Sequence, residues 1–222
     1  MPLKKSLLKI VPETLKLLKV SRVLCVEIAE RILRKAEQLY FTYGFRGVTM
    51  DDIANELGIS KKTIYLHFED KNTLVEEVSK FFLNKEKCRV TEISGKQIGP
   101  IEEAILATRM MKEMMENINP VVFYDLQKYY PKAWKHYLEH KKYFLQTMKE
   151  NLLKGIEEGL YRTDINVEII CRMRIELVEL AFNTVVFPPK DFRLLEIQVS
   201  FIDHFIRGIV TQKGLKAYEA IK

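Results

Sequence analysis

The sequence lacks most of the features that announce an enzyme, a secreted protein or a membrane protein. Its three cysteines, Cys25, Cys88 and Cys171, are far apart and odd in number. They form no CxxC pair, so neither a disulfide framework nor a zinc site is indicated, and a reducing cytoplasm is the simple reading. No run of about 18 uncharged apolar residues occurs, so no transmembrane helix is expected. The basic N-terminus is a poor signal peptide, because Lys9, Pro12, Glu13, Lys16 and Lys19 interrupt its apolar residues. No GxSxG, P-loop, GxGxxG or HExxH motif is present, which leaves an enzymatic role without support and calls for no cofactor. His136 and His140 lie one helical turn apart, but Lys132, Lys135, Lys141 and Lys142 surround them and would repel a metal ion.

Glycine and proline are also scarce, at nine and seven in 222 residues, and strand-like alternation is not sustained anywhere. The fold class is therefore all-α. Apolar periodicity predicts helices over 26–43, 50–57, 61–67, 71–92, 101–117, 121–129, 132–158, 166–187 and 191–212, with Gly58, Gly99–Pro100, Pro188–Pro189 and Gly214 among the breaks. The stretch TEISGKQIGP, 91–100, marks the best boundary. It divides the chain into a basic arm or extra helix at 1–25, a domain at 26–92 and a larger helical domain at 93–222.

Charge is unevenly spread. Residues 1–25 carry six basic side chains against one acid, whereas 26–90 carry eleven of each. The overall +6 is thus mostly the arm's. Three uses of the arm stay open: a minor-groove contact, an amphipathic helix on a membrane surface, or a segment that packs on the protein or extends from it. Pro12 splits it, which weakens the membrane reading.

The segment GISKKTIYLHFEDK, 58–71, concentrates Lys61, Lys62, Thr63, Tyr65, His67 and Lys71 within eleven residues. Thr49 can cap a helix whose first turn is acidic, Gly58 can supply a left-handed stop, and Ser60 can cap the next helix. Two short helices across a tight turn make a helix-turn-helix. On a wheel of about 100° per residue, Ile64 and Phe68 share the inward face. Lys62 and Leu66 then point outward, flanked by Thr63 and Tyr65, with Lys61 and His67 at the shoulders. Such a face can reach phosphates, base edges and a thymine methyl group. Lys71 opens the following helix, where a cation opposes the helix dipole; a phosphate bound there would reverse the sign.

The run AEQLYFTYGFRGVTMDDIANELGISKKTIYLHFEDKNTL, 36–74, closely resembles the DNA-binding domain of the TetR (tetracycline-repressor-like) family of bacterial transcription regulators. The likeness lies in the aromatic-Gly-aromatic after the first helix, the Thr that opens the second, then Asp-Ile-Ala, Gly-Ile-Ser-Lys, Thr-Ile-Tyr, His-Phe and the Lys two places after Glu69. It implies phosphate contacts from Thr49, Lys61, Tyr65, His67 and Lys71, and base-facing roles for Lys62, Thr63 and Leu66. Lys62 stands where a small residue is common and Leu66 where an aromatic or polar one is frequent, so the operator cannot be carried over from a relative.

The resemblance also implies a C-terminal ligand-binding and dimerisation domain, a homodimer on a roughly palindromic double-stranded operator, and repression relieved by a small apolar or amphipathic inducer. No membrane partner is expected. Met110, Met111, Met114 and Met115 give an adaptable surface. Met111, Met114, Phe123, Phe144, Met148, Met173 and Leu177 are the candidate pocket residues; aromatic and Met side chains at helical spacing also suit a plain core. If Arg172, Glu176 or Glu179 lines a cavity, it would anchor a charged inducer. The alternatives are a dimeric DNA-binding regulator without a ligand and, more distantly, a membrane-associated helical protein.

Overall fold

The computed structural model describes residues 27–96, 98–116 and 118–221. The arm at 1–25 lies outside the described residues. Local chemistry sets the first helices. Helix α1 (27–43) buries Ile32, Ala36, Leu39 and Tyr40. Helix α2 (Met50–Leu57) begins at a reciprocal cap: the Asp52 amide donates to Thr49 Oγ1 at 3.2 Å, and the Thr49 amide donates to the Asp52 carboxylate at 2.8 Å. It ends at Gly58, whose φ of +64° is the left-handed conformation that glycine adopts at little steric cost. Ser60 caps α3 (Lys61–Tyr65), and Asp70 caps α4 (Lys71–Ser94) by accepting the Thr73 amide at 2.7 Å.

Prolines at first-turn positions open α5 (Pro100–Met115) and α7 (Pro131–Glu157), where the missing amide proton costs nothing. Helix α6 (Val121–Tyr129) lies between them, and Asn166 caps α8 (Val167–Leu180). Four expectations need correction here. The 166–187 helix stops at Leu180, because the Asn183 side chain accepts the amides of Val185 and Val186 and closes a turn ahead of Pro188. The 191–212 helix is α9 (Leu194–Ile209), and a separate α10 (Gln212–Ile221) follows. Between them Val210 is extended and forms a single antiparallel bridge with Tyr161, which fixes the break. Gly214 is not a stop: it lies inside α10, where a Cβ would run into the Leu160 carbonyl oxygen. Helix α3 is also shorter than its expected 61–67 span.

One apolar cluster joins Ile32, Tyr40, Phe45, Ile53, Ile64, Phe68 and Val78 of the first four helices and the turns between them to Val122, Tyr130 and Ala133 of α6, its cap and α7. A second gathers Ile101, Ile105, Leu152, Cys171, Ile202 and Ile209 around Tyr161. The long α4 links the two regions: its N-terminal half completes the helix-turn-helix core, while its C-terminal half packs against α5 and α7. No helix among the described residues is long and apolar enough to cross a membrane.

Candidate nucleic-acid interface and buried cavity

Helix α3 is held from one side. Ile64 is fully buried and Phe68 nearly so, whereas Leu66 is 74% exposed and Tyr65 45% exposed. Lys62 is exposed beside them, and Thr63 and His67 are half-buried at the flanks. This five-residue rod and its cap Leu66 therefore offer a cation, a phenol and an aliphatic tip outward, with geometry suited to a major groove.

The surrounding groups are partly committed to each other. Lys61 Nζ lies 2.6 Å from Asp51 Oδ2, and that hydrogen bond strengthens the lysine's hold on its proton. The Thr49 hydroxyl donates to Asp52 Oδ2 at 2.7 Å, and Thr49 hydrogen bonds hold the Asp52 carboxyl below the usual carboxylate range. Thr63 Oγ1 lies 2.9 Å from Ser60 Oγ. Lys71 is half-buried at the first turn of α4, with Nζ donating to the Arg46 carbonyl at 3.4 Å, and loss of solvent lowers its proton affinity. Arg46 was not anticipated. Its guanidinium lies over the Tyr129 ring at 4.6 Å, and its amide donates to the buried carboxylate of Asp125 at 3.2 Å. A neighbouring strut is the Asn119 amide, which donates to the Phe41 carbonyl at 2.7 Å. Together these bonds tie α6 to the end of α1 and the turn after it.

Below this joint lies a cavity of about 340 Å³, within the range of small-molecule sites. Helices α4 to α9 wall it, and Phe41 and Phe45 reach it from above. Met111, Met114, Phe123, Phe144 and Met148 line it. Met173 and Leu177 do not. On α8 the inward arc is Cys171, Arg174, Ile175 and Val178, from whose centre Met173 and Leu177 lie roughly 150° and 110° away at 100° per residue. They border a surface groove with Tyr124, Leu180 and Val185. Arg172, Glu176 and Glu179 also miss the cavity: Arg172 pairs with Glu168, and both glutamates pair with Lys141.

Among the polar cavity residues that sequence reasoning missed are Glu86, His140 and Arg174. Burial, aided by Lys87, pulls the His140 imidazole down to about 4, so it is neutral at pH 7. Burial raises the Glu86 carboxyl and pulls the Arg174 guanidinium down to about 10. His136, one turn from His140, turns elsewhere and meets Glu76 at 3.1 Å. Tyr137 also faces the cavity, and its hydroxyl donates to Glu179 at 3.0 Å.

Two short, separately capped helices that present an exposed polar face above a ligand-sized cavity define a helix-turn-helix DNA-binding regulator. The family profile described as "Bacterial regulatory proteins, tetR family" matches residues 32–78. Residues 32–78 are thus a DNA-binding domain of the TetR family, and the chain is a DNA-binding transcription regulator. It is 28% identical over 145 residues to the HTH-type transcriptional repressor KstR2 of Mycobacterium tuberculosis (strain H37Rv), covering 64% of this chain and 72% of that protein. The fold is similar to the solved ketosteroid transcriptional regulator KstR2 of M. tuberculosis, with a TM-score of 0.59 and 22% identity over 83% of this chain and 95% of that one. A transcriptional regulator from Saccharomonospora viridis, solved in complex with choline, superposes with a TM-score of 0.69 and 19% identity over 84% of this chain and all of its own.

Proposed function

We propose that this regulator is a homodimeric repressor in the cytoplasm, released from a roughly palindromic operator when a small apolar or amphipathic inducer fills the cavity. The observation that carries the reading is the placement of that cavity. Its wall includes Val122, Phe123 and Leu126 of α6, the helix that Asn119 and Asp125 fasten to the DNA-reading head. A ligand that prefers one setting of α6 over another shifts the head, by a coupling on the order of 1–3 kcal/mol in comparable systems. The exposed apolar side chains Ile169, Met173 and Leu180 on α8, with Val185 beyond it, support a second copy as partner. Two-fold pairing would set two reading helices about one DNA turn apart. The choline bound by the S. viridis regulator supports a small-molecule ligand in general rather than that compound.

In this reading Lys62, Thr63 and Leu66 face bases, while Thr49, Lys61, Tyr65, His67 and Lys71 approach phosphates. Lys61 exchanges Asp51 for a phosphate on binding, and Thr49 uses its cap position rather than an uncommitted hydroxyl. Selection of binding sites from random duplexes tests the first half. Lys62→Ala and Leu66→Ala should change the selected sequence, and an unchanged preference in both would refute the orientation of α3. A thermal-shift screen against apolar and amphipathic compounds, followed by operator release, tests the second. If no compound that binds changes DNA affinity, the ligand-independent regulator is the correct reading.

A further inference from the structure

Four buried side-chain atoms among the described residues lack a hydrogen-bond partner, and two of them belong to residues lining the cavity: Glu86 Oε2 and Arg174 Nη1. Arg174 is 6% exposed. Its Nη2 reaches only the Met111 thioether, at 3.7 Å, and the Phe205 ring centre lies 5.9 Å from the guanidinium carbon. Among the described residues, no carboxylate lies within ion-pair distance of it. A guanidinium keeps its charge at neutral pH, so a cation stands uncompensated in an apolar site. Glu86 differs on both counts. Arg89 Nη1 lies 3.6 Å from its other oxygen, and a carboxyl can take up a proton instead of demanding a counter-ion.

We propose that Arg174 is the anchor for the anionic head of the ligand, a single carboxylate on an apolar body that rests among Met111, Phe144 and Met148. The proposal builds on the cavity reading above and adds the sign of the ligand. The unsatisfied guanidinium edge matches a carboxylate in charge and shape. The head carries one charge rather than two because the second cation in the wall, Lys141, is already held by Glu176 and Glu179 at 2.8 and 2.6 Å. The body is modest, because a cavity of about 340 Å³ lies at the lower end of the range for small-molecule sites. Medium-chain fatty acids fit this description.

The test measures calorimetric binding of three probes with one C12 body to the full chain: dodecanoate, dodecanol and dodecyltrimethylammonium, each below its aggregation threshold. Dodecanoate should bind at least about tenfold tighter than dodecanol, the usual worth of a buried charged hydrogen bond. Arg174→Met should erase that preference without weakening dodecanol, and Arg174→Lys should keep part of it. If Arg174→Met does not fold, the wild-type probe series and Arg174→Lys decide. Equal binding of acid and alcohol overturns the proposal and leaves the cavity reading standing. Tightest binding by the ammonium, lost in Glu86→Gln, overturns it in favour of a cationic ligand. Failure of all three to bind overturns both.

Discussion

Arg174 leads to a prediction that needs no ligand. Burial lowers its proton affinity from the ordinary guanidinium range to about 10. At about 1.36 kcal/mol per tenfold change, the charged form is penalised by roughly 3 kcal/mol in the folded chain. The sign follows from linkage. The unfolded chain binds this proton more tightly, so stability would rise as pH climbs above about 10, and below 10 the penalty is present in full. Arg174→Met removes the charge and keeps a stem of similar shape, at the loss of the Met111 contact and a distant ring contact worth about 0.5–1 kcal/mol. The variant should therefore be more stable than wild type by about 1–3 kcal/mol at pH 7. For a chain of this size each kcal/mol moves Tm by about 2–4 °C. The assay is calorimetric melting at fixed protein concentration, on samples refolded from denaturant so that no bound amphiphile survives. An unchanged or lower Tm in Arg174→Met would mean that the guanidinium already has a partner in the folded protein, and the argument from an uncompensated charge fails.

Three further predictions follow from other sites. Lys71→Ala should weaken binding to all duplexes alike and flatten the plot of log affinity against log salt by up to about one unit; a change confined to certain sequences would contradict its assignment to phosphate. Gly58→Ala meets no atom within 4 Å, so its cost should be the conformational one alone, about 1 kcal/mol in urea unfolding, whereas Gly214→Ala drives a methyl into the Leu160 carbonyl and should cost roughly 1–3 kcal/mol. His140 is neutral in the fold down to about 4, while the unfolded chain takes up that proton below about 6.5. Stability should fall as pH drops through this window, by up to roughly 3 kcal/mol, and His140→Gln should remove that part of the acid limb.

The reading head was legible in the sequence because its boundaries are written in adjacent residues. Thr49, Gly58, Ser60 and Asp70 start and stop helices by their own hydrogen bonds and backbone preferences. The later boundaries depend on tertiary partners. Val185 and Val186 prolong an apolar pattern that Asn183 cuts, and α9 ends where Val210 meets Tyr161, 49 positions earlier in the chain. The Met and aromatic cavity wall was visible as helical spacing. Met173 and Leu177 were misplaced because periodicity reports an apolar arc without saying which arc faces inward. Arg174 was invisible for the opposite reason: among alternating charges on α8, an arginine reads as surface, and only the packed structure distinguishes it from Arg172.

The shared apolar cluster beneath the head has a practical consequence for biosensor construction. Val122, Tyr130 and Ala133 complete the same nucleus as Ile32, Tyr40 and Phe45. A chimera cut near residue 95 to swap promoter specificity would sever that nucleus and leave both grafted surfaces greasy and mismatched. The transplantable cassette is discontinuous: the first four helices together with the facing side chains of α6 and the opening turn of α7.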